Sequence, residues 1–593
     1  CGRNQSGAAV PNAKVTLTNP ETNVVVRELN TGADGSYVIT LVPPGMYMVS
    51  VEAPGFRKHV QSGVTLQTNQ RVRLDLSLQV GQVTETVEVT AEATLLESQS
   101  SSLGKVIDRQ MLNDIALNTR NFVMLATMAP GVNGVGFSTS GTIMSGARPD
   151  DRRPGTEIFS NGNREGSNNF LYDGVDNNER LIQLIVIRPS VEAIREFKVQ
   201  TNMFSADTGR NSGAVVDVVT QSGTNDIHGS LFEYLRNSAM DARSFFNVKG
   251  TPFPAFRYNQ FGFSLGGPAW LPKVYNGRNR TFFFVDYEGH RRNLLASTVR
   301  SVATPRIRDG DFGAELPIYD PLDQRADPTS ATGIRRARFT NNVIPRNRWD
   351  VPTARLLGAF PLPTNTDRLN NYIANVGQKQ DWDQGDVRVD HQFTPNDNVF
   401  ARWSVQHTTT TAPYTFPATQ IQGLPNAIGV GNEDSFAGPA FNPVQHAVVS
   451  YTKVITPLLV NDLRIGFNRF VIDYTGEGFA AGGPNLGNLV GIPNSNSHPL
   501  HTLLPIINLG AYTGVGHSRS LPIFRRSNVF QYIDNATWTR GAHTLKFGGD
   551  VRRRQITEYQ TNSGNGRFNF SRGLTTEIGS GATSGNELAS FVL

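Results

Sequence analysis

The chain reads as all-β dominated: a small N-terminal β-sandwich, a mixed α+β segment, and then an incomplete antiparallel β-barrel of the kind that crosses a membrane. Three observations predict this. Of 593 residues, 18% are charged, with 57 glycines and 33 prolines, which is charge-poor and turn-rich against averages of about 25% charged and about 7% glycine. No apolar run reaches the roughly 18 residues a spanning helix needs, the densest being Leu181-Ile-Gln-Leu-Ile-Val-Ile187. Beyond residue 225, alternating segments of about ten residues recur, long enough for barrel strands that need only one apolar face.

The net charge of +5 comes from 55 Lys+Arg against 50 Asp+Glu without a concentrated basic run. A nucleic-acid partner is therefore not expected. The single cysteine, Cys1, excludes an internal disulfide framework and any multi-cysteine metal site. It leaves the redox compartment open. Cys1 fits either a lipidated terminus or a boundary at which a longer chain has been cut.

Residues 1–80 alternate in short segments: Ala13, Val15 and Leu17, then Tyr47, Val49 and Val51, then Val72, Leu74, Leu76 and Leu78. Turn signals separate them at Ala33-Asp-Gly-Ser36 and Val42-Pro-Pro-Gly45. The pattern predicts a sandwich with one apolar face per sheet. The stretches Gly7-Ala-Ala-Val-Pro-Asn-Ala-Lys-Val15, Thr31-Gly-Ala-Asp-Gly-Ser-Tyr37 and Leu41-Val-Pro-Pro-Gly-Met-Tyr47 resemble the carboxypeptidase regulatory-like domain. That resemblance implies a carbohydrate-binding-like fold and no peptidase activity.

A connector follows at 81–91, in which Glu85, Thr86, Val87, Glu88, Val89 and Thr90 place β-branched residues at alternate positions. From pattern alone it is a last sandwich strand, a plain linker, or an exposed strand that adds to another protein's sheet edge. The string Glu85-Thr-Val-Glu-Val-Thr-Ala91 resembles the TonB box of TonB-dependent outer-membrane receptors. The resemblance makes these six residues the contact for a TonB-type energy-transducing protein.

Residues 92–225 resemble the plug domain of that family, in its Oar-like branch. Carrying the resemblance are Leu117-Asn-Thr-Arg-Asn-Phe122, Asn169-Phe-Leu-Tyr-Asp-Gly-Val-Asp-Asn-Asn178, Val191-Glu-Ala-Ile-Arg-Glu-Phe-Lys-Val199 and Phe204 through Thr220. Thr119 departs from the family's usual glycine. The oxygen-rich run Asp173, Asp176, Asn177, Asn178 and Glu179 invites a calcium test. Its spacing does not follow the Asp-x-Asp-x-Asp-Gly order, and Asn and Asp serve turns for their own reasons, so no metal site and no cofactor are expected.

From 226 to 593 the evidence is mainly periodic. Asp386, Arg388, Asp390 and Gln392 alternate with Val387, Val389, His391 and Phe393, and after Thr394-Pro-Asn-Asp397 the pattern resumes with Arg402, Ser404 and Gln406 against Ala401, Trp403 and Val405. Strands are expected near 226–236, 258–267, 280–290, 381–393, 398–408, 443–454, 460–474, 527–539 and 542–557. Long connections alternate with short turns, the loop order of outer-membrane barrels. Tyr234, Phe282, Tyr287, Trp403 and Trp538 are candidates for interfacial girdles. The stretches from Ile227, from Asn259 and from Arg280 resemble the opening strands of an Oar-like barrel.

Enzyme signals are weak. Gly262-Phe-Ser-Leu-Gly266 matches the nucleophile-elbow string, but Phe261, Phe263 and Leu265 continue a strand with no helix after it. No zinc-protease helix or phosphate loop occurs, and no catalytic residue is expected. The resemblance implies an outer-membrane receptor that imports an extracellular ligand by energy-coupled plug movement, with sandwich and plug on the periplasmic side and lipid around the barrel. A non-transporting adhesion or signalling receptor and a carbohydrate-binding surface protein are the alternatives. The ligand, a carbohydrate or a metal chelate, is left open; Arg335, Arg336, Arg338, Arg346 and Arg348 only hint at anions. Nine expected strands fall short of the family's roughly 22, so a truncated sequence is expected, because spanning barrels must close.

Overall fold

The computed structural model describes residues 2–4, 8–82, 86–90, 102–117, 120–134, 158–179, 185–208, 211–242, 255–412, 414–430, 436–479, 481–495, 498–541, 543–580 and 583–593. Three sheets organise it. The first holds β1 (Lys14–Asn19), β2 (Val24–Asn30), β3 (Gly45–Glu52), β4 (Lys58–Leu66) and β5 (Thr86–Thr90) in the order β2-β1-β3-β4-β5. Its pairs are antiparallel except β4 and β5. The alternation read in the sequence is the burial pattern: Ala13, Val15, Leu17, Tyr47, Val49 and Val51 enter one core with Leu76 and Leu78. The opposite layer is thin, a parallel pair of Gly2–Asn4 with Leu76–Leu78.

The second sheet has the order β8-β7-β10-β9-β6, from β6 (Leu103–Ile107), β7 (Asn169–Tyr172), β8 (Val175–Asp176), β9 (Ile194–Asn202) and β10 (Val215–Thr220). Helix α1 (Arg109–Asp114) starts where Asp108 accepts from the Met111 amide, an N-cap that satisfies one orphan donor. Both faces of this sheet are covered, so β10 is buried at five of its six positions and reads Val-Val-Asp-Val-Val-Thr rather than alternating.

The third sheet is one antiparallel meander of nine strands in chain order. They are β11 (His228–Asn237), β12 (Phe256–Pro268), β13 (Thr281–Arg300), β14 (Tyr372–Thr394), β15 (Asp397–Ala412), β16 (Gly438–Thr456), β17 (Leu459–Tyr474), β18 (Ile523–Arg540) and β19 (His543–Gln560). All nine lie where the alternation placed them. Strands β13 and β14 run longer than expected, pairing from Thr281 with His391 out to Arg300 with Tyr372. The added residues mix polar pairs, such as Asn293 with Lys379, and apolar residues, such as Leu294, Leu295, Val299 and Ile373, on both faces, so no amphipathic signal marked them. Among the described residues the sheet does not close, and β11 and β19 are its two edges.

The cross-strand register turns the alternation into layers. Leu265, Val285, Val387, Trp403, Ala447, Phe467 and Phe530 are successive partners across seven strands. Two residues further along, Phe283, Val389, Ala401, Val449, Ile465, Tyr532 and Val551 form a parallel row. These rows face outward, with Val387, Trp403, Val449, Ile465 and Tyr532 all exposed, which is the apolar belt a barrel presents to lipid. Trp403 and Trp538 of the girdle candidates are exposed, whereas Phe282 is buried and Tyr234 turns to Arg120, which donates to its hydroxyl at 2.8 Å. Both lie on the inner face, Phe282 buried and Tyr234 still exposed beside Arg120, because the strand period assigns a face whatever the residue's chemistry.

At the end with long connections, the loops fold together. Residues from 302–360, 416–430, 486–515 and 588–592 share one apolar core that includes Phe312, Ile344, Phe416, Val490, Leu504, Phe591 and Val592. Four short helices contribute, α2 (Pro305–Arg308), α3 (Val351–Leu357), α4 (Leu486–Val490) and α5 (Glu587–Val592).

Candidate functional site

The second sheet packs against the inner face of the nine-stranded sheet, and one hairpin makes the densest set of polar contacts with it. Strands β7 and β8 are joined by two residues, Asp173 and Gly174, with φ of 51° and 77°. Positive φ at both central positions is the type I′ geometry that Asp-Gly favours. Gly174 is required twice, since a β-carbon there would also overlap the Arg464 guanidinium.

Two neighbouring register rows on the inner face receive this hairpin. The first runs Arg388, Arg402, Val448, Gly466, Gln531, Arg552. The Arg402 Nε donates to Asp173 Oδ2 at 2.6 Å, and an Arg388 nitrogen lies 3.5 Å from Asp173 Oδ1. Gly466 leaves the space that Val175 fills. Gln531 Oε1 accepts from the Asp176 amide at 2.9 Å, and Arg552 reaches Asp176 Oδ1 at 3.3 Å. The second row runs Asp286, Asp386, Ser404, His446, Asn468. The Tyr172 hydroxyl donates to Asp386 at 3.0 Å, Asn468 donates to the Asp176 carbonyl at 2.7 Å, and Ser190 donates to Asp286 at 2.6 Å.

Arg402 is the hub. Its side chain is 0% exposed, its guanidinium carbon lies 3.5 Å from the Tyr172 ring centroid, and its remaining nitrogens engage Ser404 and His446. Arginine suits this position because its fork stays charged, stacks on an aromatic face and donates in several directions. Burial by itself raises Asp173, but Arg402 and Arg388 outweigh it and hold the carboxylate below its usual range. Burial, with Asp386 beside it, raises the Tyr172 phenol well above its ordinary value. At the sheet's far edge Lys546 pairs with Asp207. An apolar seam accompanies these polar contacts, with Ala440, Val444, Phe470, Ile472 and Tyr474 of the wall joining the core of the second sheet.

Asp217 on β10 is the counter-example. Burial raises it to about 6, against the pull of Arg464 and with Asp173 adding repulsion. A folded-state value above the unfolded one means the folded chain binds the proton more tightly. Stability is therefore highest below about pH 4, falls as pH rises through the window up to about 6, and is level above it. Two units correspond to about 3 kcal/mol. Asp217→Asn is expected to stabilise the fold at pH 7 by up to that amount and to flatten the profile between pH 4 and 6. Thermal unfolding of both forms across that window checks it.

The sequence candidates land as follows. Thr86–Thr90 form β5, paired in parallel with Lys58–Ser62 at the edge of the first sheet, and among the described residues no strand pairs with its other edge. Glu85 and Thr119 lie outside the described residues. In the oxygen-rich run, Asp173 and Asp176 meet arginines, while Asn177 and Asn178 bind backbone at Ile187 and Phe170. The arginines of the long connection are spent internally: Arg348 on Asp320, Arg346 on Asp309, and Arg336 on the carbonyls of Gly573, Leu574 and Thr576. Ser264 is in mid-strand beside Ser230. The alternation places Arg388 and Arg402 on the wettable strand face without assigning them a partner. Gly466, Asn468 and Gln531 carried no signal, since only the register brings them under the hairpin.

A lipid-facing antiparallel sheet whose polar inner face holds a second, mixed sheet is the architecture of an outer-membrane barrel protein. The family profile described as "Outer membrane beta barrel domain" matches residues 219–593, and the chain belongs to that family. A carboxypeptidase regulatory-like domain matches residues 3–79. The TonB-dependent transporter Oar of Myxococcus xanthus is a homologue, 26% identical over 325 residues, which is 52% of this chain and 28% of that protein. Among solved structures, the outer membrane transporter YddB of Escherichia coli is similar with a TM-score of 0.45 and 10% identity, over 76% of this chain and 48% of that one. Pyoverdine-bound FpvA of Pseudomonas aeruginosa is similar with a TM-score of 0.40 and 13% identity, over 79% of this chain and 54% of that one. The chain thus spans about a quarter of the curated relative and about half of each solved relative. The protein is located in the outer membrane.

Proposed function

We propose that this protein is a TonB-dependent receptor that binds an extracellular ligand and imports it when a periplasmic energy-transducing protein moves the inner domain. In this reading residues 1–80 are a periplasmic sandwich, 81–91 the coupling connector, 92–225 the plug and 226–593 the barrel wall. The observation that carries it is the seating of the second sheet on two polar rows of the wall, by ion pairs and hydrogen bonds around Asp173 and Asp176. Groups of this kind can exchange partners with water, so a plug held by them can be shifted without stripping apolar surface at that level. The named homologue is a transporter, which supports a non-catalytic role.

The open edge of β5 supports residues 86–90 as the contact for a TonB-type protein, because an unpaired strand edge accepts another strand by main-chain hydrogen bonds. Deleting residues 84–91 is expected to abolish uptake that depends on the proton-motive force while cells still bind ligand at the surface. Val87→Pro is expected to abolish capture of the purified protein by the C-terminal domain of a TonB-type protein. Unchanged uptake after the deletion overturns the reading. The ligand site belongs, in this proposal, to the folded loop body at the long-connection end, and the short-turn end faces the periplasm.

A further inference from the structure

The first sheet is docked onto the second, and the contact has a defined tip. Strand β4 ends at Leu66, and the residues just beyond it reach β9 and β10. The Thr68 hydroxyl donates to Glu196 Oε1 at 2.5 Å, and the Thr68 amide donates to the same oxygen. The Asn69 side chain donates to Asp217 Oδ2 at 3.3 Å, and Lys198 Nζ donates to the Asn69 carbonyl at 3.3 Å. Thr68, Glu196, Lys198 and Asp217 are all buried. Removing the tip takes both Thr68 hydrogen bonds from the buried Glu196 carboxylate and one contact each from Lys198 and Asp217, and loss of hydrogen bonds to a buried charged acceptor is costly.

A second line of contact fixes the orientation. Arg195 on β9 lies 3.6 Å from Glu21, the Asn225 amide donates to the Glu21 carbonyl at 3.0 Å, and Gln392 near the short turn after β14 donates to the Val25 carbonyl at 3.0 Å. The sandwich therefore bridges the second sheet and the short-turn rim of the wall. Strand β5 hydrogen-bonds along β4, the strand that leads into the Thr68–Asn69 tip. Whatever acts on β5 acts on the sheet that carries the tip.

We propose that the N-terminal sandwich is a latch on the plug: the Thr68–Asn69 tip, seated on Glu196 and Asp217, holds β9 and β10 in place and must leave before the plug sheet rearranges. The proposal rests on the reading of the second sheet as a movable plug and adds the element that restrains it. Thr68, Asn69 and Glu196 are positioning residues, acting on the plug through its backbone.

Hydrogen exchange of the purified protein tests this without ligand or partner. In Glu196→Ala, the amides of β9 and β10 are expected to exchange about tenfold faster or more, in line with loss of hydrogen bonds to a charged group, while those of β15–β17 keep their rates. Glu196→Gln retains an acceptor for Thr68 and is expected to keep exchange slow. A short reducible bis-thiosulfonate bridge between Asn69→Cys and Lys198→Cys, in a Cys1→Ser background, is expected to restore slow exchange to Glu196→Ala until reductant is added. Unaltered exchange in Glu196→Ala, or a bridge that restores nothing, overturns the latch. These readouts do not use residues 84–91, so failure of the coupling reading is seen separately in the deletion experiment.

Discussion

Arg402→Ala is expected to cause the largest loss of stability of any single change in this protein. It removes a fully buried cation and leaves Asp173 facing a wall with Arg388 alone, at 3.5 Å, to balance it. Breaking one partner out of a buried pair typically costs about 3–5 kcal/mol, because the remaining charge is stranded in low dielectric. The same change takes the cation from the Tyr172 ring and removes donors from His446. The inner sheet is expected to become protease-sensitive under conditions where the wall stays intact. Asp173→Asn in the Arg402→Ala background is expected to recover part of the loss, since it removes the stranded charge. Limited proteolysis and thermal unfolding of the two variants and the double variant measure both parts; a double variant no better than Arg402→Ala would show that the lost ring contact and hydrogen bonds dominate.

Gly466→Val is expected to have the second largest effect, and on seating rather than on folding of the wall. Valine suits a strand, so β17 itself tolerates it. A β-carbon at 466 overlaps the Val175 side chain, and Val175 is buried at the hairpin tip. Overpacking of this sort costs about 1–3 kcal/mol, and here the hairpin relieves it by backing away. The contacts of Asp176 with Gln531, Asn468 and Arg552 then open together. Expected is faster hydrogen exchange across β7, β8 and β10 with normal protection in β16 and β18. Val175→Ala is expected to restore seating in the Gly466→Val background; failure to do so would place the effect in the wall.

Much of the architecture was legible because alternation is a local property. Val387 to Phe393 and Ala401 to Gln406 declare two faces from sequence alone, since side chains in a strand alternate whatever its neighbours are. The nine wall strands and the five buried positions of the first sheet core around β1 and β3 follow from that period. The loop body was not legible. Phe312, Ile344, Phe416, Val490 and Phe591 are spaced irregularly along three connections and the segment after β19, and meet only because the strands bring those segments to one end. The C-terminal Ala589, Phe591 and Val592 are likewise buried as part of a helix in that core.

The candidate site divides along the same line. Sequence marked Asp173 only as part of an oxygen-rich run, and the two-residue Asp173-Gly174 turn, with positive φ at both positions, emerged in the structure. What sequence by itself determined is that Arg388 and Arg402 lie on the wettable side of their strands. What they hold was decided by the tertiary structure alone. Pairing register places Arg388, Arg402, Gly466, Gln531 and Arg552 in one row, although they span five strands and 165 positions of sequence. Register is set by the whole sheet, where a shift of one residue would turn every one of these side chains to the lipid. The place of Thr86–Thr90 was settled in the same way: the six-residue string shows a strand, and the open backbone of β4 gives it a partner within the chain.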